Sequence, residues 1–139
     1  MRTYLLSIKP DPFSALVDGR KKHEFRRKFS HINEGFRVVF YVSRPVKAIC
    51  GIGTFDKPVF ATIARLIELI KTHRYSSPQN LKRYLEGLEM GFALPIKKVK
   101  TIKPVLLEQI RAIIPGFNPP QSYCSLDSQK CSKLIRGAD

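Results

Sequence analysis

The residues with most chemical potential in this chain lie together, in Gly19-Arg20-Lys21-Lys22-His23-Glu24-Phe25-Arg26-Arg27-Lys28. This is the densest run of cations in the sequence, and a single acid, Glu24, stands in its middle. A carboxylate between lysines and arginines stays ionised and holds them through charge-assisted hydrogen bonds. Two kinds of chemistry follow. The cations can neutralise phosphates, or a lysine–glutamate pair enclosed in a cleft can do acid–base work on a bound water. Read as a strand, Lys22, Glu24, Arg26 and Lys28 share one face, at roughly 7 Å per two residues, while His23, Phe25, Arg27 and Phe29 share the other. The second face carries two aromatics and is expected to be the core side. The spacing alone fits equally a solvated basic strand with one surface ion pair, which would contribute little to stability.

The flanking sequence shows how such a strand would be held. Tyr4 to Lys9 is an apolar strand candidate. Pro10 to Val17 reads as a helix with Asp11 as cap and Pro12 at its first position. Asp18-Gly19 stops it, and glycine supplies the left-handed residue that a tight turn into the basic strand requires. Ser30 to Gly35 is a loop. Phe36 to Val42, β-branched and aromatic throughout, is the strongest strand signal in the chain. A turn at Ser43-Arg44-Pro45 leads to a strand over Val46–Phe55, where Gly51 and Gly53 predict a bent barrel strand or a close backbone approach. Apolar spacing predicts helices over Val59–His73 and, with Ser77 as cap, over Pro78–Leu88. Met90–Ile96 reads as a strand in which Pro95 marks an edge or a bulge. A second basic cluster, Lys97, Lys98, Lys100 and Lys103, runs to Pro104 and a short helix over Val105–Ile114. Asn118 to Tyr123 enters a last strand ending near Leu126. Strands with interspersed helices fit an α+β fold, a mixed β-barrel with helices packed on the outside, better than an alternating parallel sheet.

Composition narrows the partners. The chain has 139 residues and a formal net charge of +14, which attracts polyanions. RNA or a nucleotide-like ligand is the expected partner, and Tyr84, Tyr123 or Phe92 could stack on an unpaired base. No apolar run approaches the roughly 18 residues of a membrane span, and no convincing basic amphipathic helix is present, so no membrane partner is expected. The N-terminus has too short an apolar run for a signal peptide, which points to the cytoplasm. The cysteines, Cys50, Cys124 and Cys131, form no C-x-x-C, and with His23, His31 and His73 they have no metal-site spacing. Gly51-x-Gly53 lacks the third glycine and following helix of a dinucleotide site. The sequence therefore asks for no cofactor and no metal.

Ser7-Ile8-Lys9-Pro10 followed by Gly19-Arg20-Lys21-Lys22-His23-Glu24-Phe25-Arg26 resembles the G-x-K-x-x-E-x-R signature of ASCH domains, in the PUA-like superfamily of small, nucleic-acid-associated β-barrels. The resemblance covers residues 1–126 as one domain and leaves 127–139 as a polar C-terminal tail, a frayed helix or a disordered end. It implies that the opening strand–helix–strand lines a cleft. Tyr84-Leu85 resembles the family's helix before its central strand, and Pro119-Pro120-Gln121-Ser122-Tyr123 a segment that closes the barrel near that cleft. The implied ligand-binding residues are Ser7, Lys9, Gly19, Lys21, Lys22, Glu24, Arg26, Lys28, Tyr84, Gln121 and Ser122. The implied function is RNA binding by a basic cleft, with a regulatory role in RNA metabolism. An alternative is a small hydrolase acting on modified nucleosides or RNA, of acylcytidine amidohydrolase or ribonuclease type, with Lys21 and Glu24 catalytic. The amidohydrolases of the family use a hydroxyl three positions after the lysine. Glu24 stands there in this chain, which removes the expected nucleophile and leaves Ser7 and Ser122 as replacement hydroxyls. A third alternative is a protein-interaction module, which predicts a cleft without converging polar groups. Convergence of Lys21, Glu24, Arg26, Tyr84 and Gln121 on one pocket would mark a specific site.

Overall fold

The computed structural model describes residues 1–136. The chain runs β1 (Thr3–Ile8), α1 (Pro10–Val17), β2 (His23–Arg26), β3 (Phe36–Val42), β4 (Ala48–Phe55), β5 (Val59–Thr62), α2 (Ile63–Ile70), α3 (Pro78–Tyr84), β6 (Met90–Leu106), α4 (Leu107–Ile113), β7 (Tyr123–Ser125) and α5 (Ser128–Leu134). The strands form one curled mixed sheet in the order β2-β6-β4-β3-β1-β7, with β5 also paired to β6. Among the described residues only β1 and β3 pair in parallel. The α+β half-barrel with helices outside is the architecture that the order of elements predicts.

Three apolar clusters fill it. Tyr4, Leu6, Ile8, Phe36, Val38, Phe40 and Phe55 meet inside the curl, with Phe13 and Leu16 of α1 plugging one end. Leu5, Val39, Tyr41 and Ile49 face the other way and are covered by Ile110 of α4 and Cys131, Leu134 and Ile135 at and after α5. Phe25 and Ala93 pack under Leu66, Ile70, Leu81 and Leu85 of the α2–α3 pair. The segment expected as a polar tail thus folds as α5 through Leu134, because its few apolar residues fall on one helical face; the last part of that expectation, residues 137–139, lies outside the described residues.

Several boundaries differ from those expected, each for a tertiary reason. The predicted helix Val59–His73 begins as β5, because Val59 to Thr62 pair with Ala93 to Met90 of β6. Thr62 then caps the shortened α2 by accepting from the Arg65 amide. The second predicted helix stops at Tyr84, and Gly87 turns the chain at a φ of 89°. The strand expected over Met90–Ile96 continues to Leu106, because β4 pairs along its second half; Pro104 is tolerated where that pairing shifts register between Ile49 and Gly51. Helix α4 consequently starts at Leu107 rather than Val105. Pro95 lies where β6 exchanges β2 and β5 for β4, beside a second register shift. Helix α1 starts at Pro10, with Lys9 as a cap position lacking a side-chain bond, so Asp11 is inside the first turn rather than the cap.

Gly51 is the close approach that its sequence context predicts. A Cβ there would stand 2.7 Å from Phe13 Cζ and 3.0 Å from the Lys100 carbonyl oxygen. Gly51→Ala must displace the Phe13 plug or the β6 backbone, a form of overpacking. Urea unfolding should show a loss of about 1–3 kcal/mol, with the fold retained by circular dichroism.

Candidate functional cleft

Strand β2 carries the signature into the fold, and each neighbour has a local cause. Gly19 takes a φ of 83° after α1, as the sequence requires. The Lys21 amide then bonds to the Ala15 carbonyl, which fixes the turn. Strand β2 runs antiparallel to β6, with Glu24 opposite Leu94 and Arg26 opposite Phe92. It is an end strand of the sheet order, and β7 is the other end.

The gap between those two ends is spanned by a side chain. Arg26 donates from Nε to Glu24 Oε2 at 2.9 Å and from Nη2 to the Ser7 carbonyl at 2.9 Å. Its Nη1 reaches the Ser122 carbonyl and hydroxyl at 3.4 and 3.3 Å. Lys21 Nζ donates to the other oxygen of Glu24 at 2.5 Å. The side chains of Lys21, Glu24 and Arg26 are only 10%, 7% and 8% exposed, so this is a buried network. Burial would raise the Glu24 carboxyl, but the charges and hydrogen bonds of Lys21 and Arg26 outweigh it and hold the group below its ordinary value. Counting Lys21, Arg26 and Glu24, the network carries one net positive charge.

A cleft of about 700 Å³ opens over this network. Ser7, Lys9, Lys21, Glu24, Arg26, Tyr84 and Gln121 all line it, so the five residues whose convergence marks a site do converge. The polar groups meet at one place, which is not the cleft that an interaction module predicts. Ser7 Oγ donates to the Pro120 carbonyl at 2.6 Å, pinning the Pro119-Pro120-Gln121 wall. Ser122 stands behind Arg26 rather than in the wall, and Gly19 only shapes the entering turn. Lys22 and Lys28 are exposed and outside the lining.

The expected basic face of Lys22, Arg26 and Lys28 therefore does not form. Strand β2 ends at Arg26, so the alternation does not extend to Lys28, and Arg26 is buried as a structural donor. The aromatic face is core as expected, with Phe25 and Phe29 buried, but the opposite side is buried as well, at Glu24 and Arg26. Of the three aromatics considered for stacking, Phe92 is core and Tyr123 packs against Phe29 and Tyr4. Tyr84, 45% exposed, is available at the mouth.

The cleft also holds residues that the sequence did not single out: Tyr41, Ser43, His73, Tyr75, Ser76 and Asn80. Tyr75 places its ring 5.4 Å from Lys21 Nζ and 5.5 Å from the Arg20 guanidinium carbon, within cation–π reach. His73 Nε2 lies 3.0 Å from His23 Nδ1, and its own Nδ1 is buried with no hydrogen-bond partner among the described residues. The loop bearing both is tied to the signature turn by the Arg74 amide, which donates to the Arg20 carbonyl. No local pattern in 71–77 announces this, because the residues are brought in by that long-range bond. Among the described residues no cluster of His, Cys, Asp or Glu has the makings of a metal site, and no helix is long and apolar enough to cross a membrane.

Comparison with known proteins decides the family. Over 131 residues the chain is 30% identical to an ASCH domain-containing ribonuclease of Zymomonas mobilis, covering 94% of this chain and 88% of that protein. The chain belongs to the ASCH domain family. The crystal structure of ASCH from Zymomonas mobilis superposes on this ASCH domain with a TM-score of 0.89 at 28% identity, covering 99% of this chain and 96% of the other. A tyrosine-to-phenylalanine variant of that protein gives 0.90 at 27% identity over all of both chains. No family model matches the chain.

Burial pushes the His73 imidazole down to about 4, and the charges of His23, Lys21 and Lys22 act the same way. A histidine depressed on folding contributes stability that is complete above its ordinary value of 6.5 and lost as pH falls toward about 4. Burial and Lys22 likewise lower His23. Glu24, also depressed, contributes above the ordinary carboxylate range and loses that contribution at still lower pH. Acid unfolding should therefore begin with the histidines. Between about pH 7.5 and pH 5, His73→Gln should lose less stability than the wild type, by on the order of 1–2 kcal/mol, in denaturant titrations.

Proposed function

We propose that this ASCH domain binds single-stranded RNA in the cleft over Lys21 and cleaves it. The observation that carries the reading is the placement of the Lys21 ammonium, nearly buried at the cleft wall and held by Glu24 at 2.5 Å. The relative of known name that shares 30% identity is a ribonuclease, which supports RNA as the substrate class.

The chemistry follows from the charges. In phosphodiester cleavage negative charge builds on the phosphoryl oxygens, and a preorganised cation in a water-poor site stabilises it most. Glu24 takes one of the three donors of Lys21 and leaves two for a ligand. Arg26 is committed to Glu24, Ser7 and Ser122. Lys21 is therefore assigned the phosphoryl oxygens, and Glu24 acts as its positioning residue. Tyr75 and Tyr84 offer ring faces for a base, and Asn80 and Gln121 offer amides for its edge. Cleavage of an acylated nucleoside is the weaker reading, because Glu24 is bound to two cations and cannot replace the missing hydroxyl nucleophile.

Lys21→Met keeps the length of the side chain and removes its charge, leaving Glu24 paired with Arg26. Cleavage of a short end-labelled single-stranded RNA should fall by about 100-fold or more, while circular dichroism and gel filtration remain those of the wild type. Wild-type cleavage rates in a folded Lys21→Met variant, or no cleavage by the wild type, would overturn the assignment.

A further inference from the structure

The sheet has a second basic surface that the cleft does not use. Thr3, Arg37, Thr54 and Lys98 are direct partners across the four adjacent strands β1, β3, β4 and β6. Residues paired in this way project from the same face of a sheet. The face is the outer one, since the alternate residues Tyr4, Phe36, Val38 and Phe55 fill the interior of the curl. Lys100, opposite Ile52, lies two residues along β6 on that same face. The helices cover the other end of this face, at Leu5, Val39, Tyr41, Ile49, Ile52 and Ile102. The row of Thr3, Arg37, Thr54 and Lys98 lies at the uncovered end, with Lys98 and Lys100 exposed.

Two features separate this row from an ordinary solvated edge. Lysine on an edge strand commonly serves to block strand pairing, and β6 from Ile96 onward pairs on one side only among the described residues. That role does not account for Arg37, which stands two strands in from that edge. Nor are these cations neutralised: among the described residues Arg37, Lys98 and Lys100 make no ion pair, whereas nearby Arg2 and Lys97 pair with Glu34 and Asp56. An arginine between two threonine hydroxyls, with two lysines beyond, presents donors and positive charge and no carboxylate. That set complements phosphate oxygens.

We propose that this face is a second RNA-binding surface, which takes the phosphodiester backbone of single-stranded RNA beyond the segment held in the cleft. Its contacts are electrostatic and indifferent to sequence. A long RNA would then bind through both surfaces, and a di- or trinucleotide through the cleft alone.

The test is the salt dependence of binding to a 20-nucleotide single-stranded RNA, read by fluorescence anisotropy. Each phosphate contact on a single strand contributes about 0.7 to the log–log slope, so Arg37→Gln/Lys98→Gln/Lys100→Gln should reduce it by about 2. Affinity for a trinucleotide should not change. Lys82→Gln/Lys130→Gln/Lys133→Gln removes the same charge from helices α3 and α5 and should leave the slope nearly as in the wild type. If the first variant does not fold, Lys98→Gln/Lys100→Gln should still lower the slope by about 1.4. Equal losses in the surface and control variants would mean a general effect of net charge and overturn the proposal. So would an unchanged slope in the surface variant, or a wild type whose RNA binding ignores salt. Every titration is made in a Lys21→Met background, which keeps the RNA intact, and each difference in slope is taken within that background, so the outcome stands apart from the role of Lys21.

Discussion

Everything in this domain depends on one carboxylate. Glu24 is 5% exposed and lies between Lys21 and Arg26, the one carboxylate that both cations share among the described residues. Removing Glu24 leaves two uncompensated cations in a poor solvent, at a cost of about 3–5 kcal/mol. The Arg26 arm of the network joins the two ends of the strand order. Between β2 and the β1–β7 edge the barrel is closed by guanidinium hydrogen bonds to Ser7 and Ser122 rather than by a backbone ladder. The Lys21 arm faces the cleft. The same acid therefore closes the fold and sets the charge of the site.

This arrangement explains why the cleft is built at a seam. A ladder of backbone bonds between β2 and β7 would leave no opening over the network. Closure through one long side chain leaves room for the Pro119-Pro120-Gln121 wall on one side and the α2–α3 loop on the other. The apolar cluster beneath α2 and α3 then supports the strand from behind through Phe25. The charges of the network are satisfied internally except for one, which it presents to the cleft, and Lys9 adds an exposed cation to the lining. The diffuse positive charge of the chain lies elsewhere, on surfaces such as the Arg37–Lys98 row.

The sequence revealed what is local. The turn at Gly19, the strand Phe36–Val42 and the tight glycines of β4 each have a short-range cause, and each stands where that cause puts it. The alternation of β2 misled because it presumes one wet face, whereas this strand has Phe25 under helices and Glu24 with Arg26 at the seam. Val59–Thr62 satisfied helical and strand patterns alike, and pairing with β6 decided between them. His73 and Tyr75 had no sequence signal. They belong to the cleft through one backbone bond from Arg74 to Arg20, a contact that no periodicity encodes. The family signature did locate the cleft, because its lysine, glutamate and arginine sit close together in sequence and in space.

The central claim is that Glu24 is an ionised, doubly paired carboxylate in the folded protein. Carbon-detected NMR of the Glu24 side-chain carboxyl, followed down from neutral pH, tests it directly. The account predicts that its midpoint lies below the ordinary glutamate value, in step with loss of the folded state and with a shift in the Arg26 Nε–H resonance. A midpoint at or above the ordinary value, with Arg26 unaffected, would contradict it.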